Sequence, residues 1–98
     1  MARVTWSPQA ASDLESICDF IARDSIVFAR LTAKRVIETA ERAARFPKSG
    51  RVVPEIDDAN LREKIVGNYR LIYRLKPGRI EIVTVIHGAR SPEAEDMK

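Results

Sequence analysis

The residues best suited to chemistry sit in the second half of the chain. "GNYRLIYRLKPGR" (residues 67–79) sets Arg70, Arg74, Lys76 and Arg79 into a stretch otherwise made for a β-strand. A guanidinium can grip a carboxylate or phosphate with two hydrogen bonds, which a lysine cannot match. Successive strand residues point to opposite faces. Tyr69, Leu71, Tyr73 and Leu75 therefore make an apolar core side, and Arg70, Ile72, Arg74 and Lys76 share the other. This predicts an anion-binding sheet face that is partly open to water. The competing structural role for Arg70 and Arg74 is ion pairing with Glu63 or Glu81 on neighbouring strands.

Other chemistry-bearing residues carry weaker signals. Glu55, Asp57 and Asp58 crowd one loop but lack metal-ligand spacing, so neither a metal nor a cofactor is expected. "KSGR" (48–51) lacks the Gly-x4-Gly-Lys pattern of a phosphate loop. Cys18 lies on an apolar helix stripe and reads as a small buried hydrophobe. His87 reads first as a hydrogen-bonded structural histidine, on the same side of its strand as Val83 and Val85.

The elements that position these residues follow from patterning. Residues 3–6 ("RVTW") suit a first strand. Ser7-Pro8 opens a helix, with Ala10, Leu14, Ile17, Cys18 and Ile21 at helical spacing to about Arg23. Ser25 caps a second helix to about Arg45, rich in alanine on one side, and Phe46-Pro47 ends it. The short break between them predicts an antiparallel helical hairpin. Residues 47–60 read as a loop. Strands follow at 61–66, 69–75 and 79–87, joined by the turn dipeptides Gly67-Asn68 and Pro77-Gly78. The order β-α-α-β-β-β makes an α+β domain, a helical hairpin packed on an antiparallel sheet. One domain over 1–98 is expected, with 91–98 a flexible tail.

Charge is distributed unevenly. Residues 1–41 carry a net −1, residues 42–79 a net +6, and residues 80–98 a net −2, within a total of +3. A local positive field favours anionic partners. No apolar run is long enough to span a bilayer, the first residues lack a signal-peptide core, and the lone cysteine cannot form an internal disulfide. A cytoplasmic protein without membrane association is expected.

The order of these elements, with "WSPQAASDLESI", "RFPKSGR", "LRE", "NYRLIYRL" and "VIHGAR" at their places, resembles the RelE/ParE superfamily of bacterial type II toxins. The resemblance spans roughly residues 3–90 and implies a toxin neutralised by a cognate antitoxin. It leaves two targets open. RelE-like members cleave mRNA on the ribosome, and ParE-like members poison DNA gyrase.

For the RNase branch, Arg70 matches the central-strand arginine that contacts the scissile phosphate. Arg90 matches a basic residue just after the last strand, and Arg62 and Lys64 lie where further basic residues occur. Glu55 or His87 would be the general base. For the ParE branch, Arg70, Arg74 and Arg90 would bind the target or another anion. "ARSPEAEDMK" has no aromatic residue, unlike several RNases of the superfamily, and the two helices are well developed. Both features favour the ParE branch, which is not an enzyme. A third possibility is a degenerate, non-toxic module that only binds an antitoxin.

Overall fold

Local signals start and stop each helix as the sequence predicts. The computed structural model describes residues 2–92. The first strand, β1, is Arg3–Trp6, followed by helix α1 at Pro8–Ala22. Ser7 Oγ accepts a hydrogen bond from the backbone N–H of Ala10 at 3.0 Å and itself donates to the carbonyl of Val83 at 2.8 Å. One hydroxyl thus caps α1 and ties it to the sheet. Ser25 caps helix α2, Ile26–Arg45, through the N–H of Phe28 at 3.1 Å. Phe46 precedes Pro47, leaves helical geometry and ends α2, after which Pro47–Ser49 forms one 3₁₀ turn.

Four further strands complete the fold: β2 at Arg51–Val52, β3 at Leu61–Val66, β4 at Tyr69–Lys76 and β5 at Arg79–His87. Their order in the sheet is β1-β5-β4-β3-β2. The turn glycines Gly67 and Gly78 take φ of 57° and 69°, left-handed values that cost a glycine least. The sheet is mixed rather than wholly antiparallel, because β1 runs parallel to β5. This pairing joins the two ends of the chain, so no local turn announces it. The short β2, paired with β3 at Glu63 and Arg62, is a fifth strand inside the expected loop.

The helices cover one face of the sheet. Ala10, Val36, Ala40 and Ala43 pack there against Leu71, Tyr73, Ile80, Ile82 and Val85. The alanines bring α2 close to the strands rather than only to α1. The other face is also covered, contrary to the expectation of a partly open surface. The connection after β2 folds over it, and Val53 is buried with Leu61, Ile72, Val83 and Ile86. Asp57 turns this connection with φ of 55°, a conformation that Asp tolerates better than most residues.

A β-bulge lies in β5. Ile72 faces Thr84, but Tyr73 faces Ile82, so Val83 is the extra residue. The bulge sends Val83 to the loop-covered face while Val85 joins the helix-side core. It also aims Thr84 and the N–H of Val85 at Asp13 Oδ2 of α1. No described helix is long and apolar enough to cross a membrane. The expected tail from residue 93 onward lies outside the described residues.

Candidate functional site

Arg70 is the centre of the charged site, and it is 4% exposed. Alternation on β4 points it away from the helices, and the connection after β2 closes over it. Its Nη1 and Nη2 donate to the two oxygens of Glu55 at 2.7 and 2.8 Å, a bidentate fork. Its Nε donates to Glu63 Oε1 at 2.8 Å, and Nη1 also reaches the carbonyl of Arg90 at 3.3 Å. Glu63, fully buried on β3, receives Arg51 on its second oxygen. Two cations and two carboxylates therefore form one connected cluster.

The electrostatics follow from this geometry. Hydrogen bonds from Arg70 hold the Glu55 carboxyl down at about 2, against 4.5 ordinarily. The same carboxylates push the Arg70 guanidinium further up, the bond to Glu55 contributing most. Both groups stay charged throughout the physiological range. A phosphate could reach Arg70 only by displacing Glu55 and the segment that carries it.

The other basic residues do not converge on Arg70. Arg74 sits 4.0 Å from Asp58, and Lys76 lies 3.5 Å from Glu81. Arg62 and Lys64 alternate to the opposite, helix-side face. Arg62 donates to the carbonyls of Ala59, Lys48 and Gly50, which fastens the path into β2. Lys64 lines a groove with Thr39, Arg42, Phe46, Ser49 and Ile65.

His87 is exposed at the end of β5. Its Nδ1 accepts from the N–H of Ala89 at 3.1 Å, and its ring meets Tyr69 edge-on at 5.9 Å. It shares a second groove, of about 360 Å³, with Phe20, Tyr69 and Arg90 among others. The structure thus gathers Arg70, Glu55 and the Arg90 carbonyl, while His87 lines a separate groove to which Arg90 also contributes. Among the described residues no group of His, Cys, Asp and Glu could hold a metal ion.

The family described as ParE toxin of type II toxin–antitoxin system, parDE, matches residues 4–92. This chain belongs to the ParE toxin family. Two solved structures share the fold of this ParE-family chain. One, described as the chromosomal ParDE TA system from P. aeruginosa, is 19% identical with a TM-score of 0.73, covering 89% of this chain and 96% of that one. The other, the YoeB dimer from Staphylococcus aureus, is 16% identical with a TM-score of 0.61, covering 88% and 95%. No curated protein matches the chain in sequence.

Membership implies a cognate antitoxin partner, and this ParE-family surface has unusual features for one to meet. All three phenylalanines are exposed: Phe20 at 64%, Phe28 at 53% and Phe46 at 69%. Ile26, Val27 and Ile65 are at least 60% exposed. Single exposed apolar side chains are ordinary, but Ile26, Val27 and Phe28 are consecutive and exposed at the start of α2. Charge patterning, which singles out the arginines, gives no sign of them. Their signal was present, since Phe20 and Phe28 fall off the apolar stripes of their helices.

Proposed function

We propose that the chain is an active toxin of the cytoplasm that inhibits growth by binding a protein target, DNA gyrase, and not by cutting RNA. The observation that carries this reading is the engagement of Arg70. RNA cleavage needs a cation ready to neutralise a crowded phosphate in the transition state. Here the arginine that matches the RNase position is buried and already satisfied by Glu55 and Glu63. The exposed phenylalanines support a protein target in addition, because aromatic side chains are favoured anchors in protein interfaces.

The test uses purified, antitoxin-free protein in two assays. Inhibition of gyrase supercoiling without new mRNA ends on translating ribosomes is the expected result. New cuts mapped by primer extension, with gyrase unaffected, would replace it with the RNase reading. One observation favours that second reading: a carboxylate, Glu55, already lies against Arg70, as a general base beside a phosphate ligand would. In that case Arg70 and Glu55 would carry catalysis, with the Arg90 carbonyl already hydrogen-bonded to Arg70. Harmless expression of the free chain in growing cells would instead indicate the degenerate module.

A further inference from the structure

We propose that the segment after β2 is an autoinhibitory latch: Glu55 and Asp58 lie on Arg70 and Arg74 in place of the phosphates of a polyanion, which binds this sheet face when the segment lifts. Such a latch works in the same way whichever target the toxin acts on. Arg70 and Arg74 share one face of β4 and stand in line along it, about 13 Å apart at 3.3 Å per residue.

Each of these arginines meets an acid from the same short segment. Glu55 takes Nη1 and Nη2 of Arg70 at 2.7 and 2.8 Å, and Asp58 lies 4.0 Å from Arg74. An acidic stretch thus runs along a basic strand face as the backbone of a nucleic acid would. The segment's apolar hold is light. Residues 54–60 are exposed, and Val53 before them is the side chain that enters the core. The turn closes on itself, the N–H groups of Ile56 and Asp57 both donating to the carbonyl of Val53, at 3.2 and 2.9 Å. The side chains of Glu55 and Asp58 are 32% and 46% exposed, so water reaches both ion pairs. A segment with so few buried contacts opens locally without unfolding the sheet beneath it.

What the latch covers is built for an anion. Glu63 remains on Nε of Arg70 at 2.8 Å and holds the guanidinium in place. Without Glu55, the cluster of Arg70, Arg51 and Glu63 carries one net positive charge, and Arg70 presents the fork that Glu55 had filled. Such a fork matches phosphate as well as carboxylate. Phosphate is favoured because the cations repeat along an extended strand, and a phosphate chain carries its charges on its backbone. An acidic peptide must order a flexible side chain for every contact.

The test measures binding of the full chain to a single-stranded DNA oligonucleotide and to inorganic tripolyphosphate, at low and high salt. Glu55→Gln with Asp58→Asn removes the latch charges and keeps the side-chain shapes. It should tighten binding by about tenfold or more and steepen the salt dependence. Glu38→Gln with Glu41→Gln makes the same change in net charge at exposed positions of α2, and should change affinity by less than about threefold. Adding Arg74→Gln to the latch variant should remove most of the gain. Circular dichroism will show that all the variants fold. Equal gains in the latch and α2 variants would overturn the latch, because net charge alone would account for them, and so would no gain in either. A gain for poly-glutamate with none for the phosphate ligands would overturn the phosphate site and assign the uncovered face to an acidic protein. Tighter binding of the oligonucleotide than of tripolyphosphate would support the latch with nucleic acid as the source of the phosphates, and equal binding would support it with free polyphosphate.

Discussion

A charge taken out of water is costly unless it is paired and hydrogen-bonded. Arg70 meets that condition with Glu63 and Glu55, and removing it would leave Glu63 charged and buried. We expect Arg70→Ala to lose about 3–5 kcal/mol, a large part of the stability of a small domain. Denaturant unfolding measures this directly. A variant that stays as stable as the wild type and loses toxicity would show instead that Arg70 serves a target. Glu55 gives a pH signature. Its carboxyl ionises at about 2 in the folded protein and near 4.5 otherwise. A depressed folded value contributes stability that is complete above the unfolded value and is lost as pH falls through the folded one. Acid unfolding between about 4.5 and 2 should therefore be less steep in Glu55→Gln than in the wild type.

At the scale of elements, one tyrosine organises the passage from helix to sheet. Tyr73 is fully buried on β4, and burial pushes its phenol upward. Its hydroxyl donates to the carbonyl of Pro47 at 2.7 Å and accepts from the N–H of Gly50 at 3.0 Å. These bonds pin the 3₁₀ turn against the strands and start β2 in register. Tyr73→Phe leaves both backbone groups without this partner, and a loss of about 1–3 kcal/mol in thermal or chemical unfolding is expected. Gly50 is a second constraint at the same point. A Cβ there would lie 2.7 Å from the carbonyl oxygen of Glu63 and closer still to the Tyr73 hydroxyl. Gly50→Ala should therefore cost about 1–3 kcal/mol by overpacking.

The whole molecule presents apolar surface at both ends of one helix. Val27 and Phe28 begin α2 and Phe46 follows its last turn, about 27 Å apart at 1.5 Å per residue. Two ligands could occupy these ends without touching. Val27 is 76% exposed and Phe28 53% exposed, so neither contributes much to the core. We expect the pair Val27→Ser and Phe28→Ser to change stability by less than about 1 kcal/mol. Binding of a dye such as ANS to the free toxin should fall in the same variant. A large drop in thermal midpoint would mean that these side chains support the hairpin after all.

Sequence alone determined whatever local interactions control. Ser7 and Ser25 cap helices within three residues, Pro47 stops α2 from the next position, and the glycine turns fix the β3-β4-β5 meander. The side of β4 on which Arg70 lies was legible too, because strand alternation has a period of two. Tertiary structure decided the rest. The parallel seating of β1 beside β5 depends on how the helical hairpin packs across the sheet, which no turn dipeptide encodes. Whether Arg70 meets water or protein depends on the segment after β2, whose course follows from burying Val53. The partners of Arg70 stand 7 and 15 residues before it, and charges at such separations meet only when the fold brings them together. Strand periodicity fails at Val83, where the bulge inserts one residue and reverses the faces of those that follow.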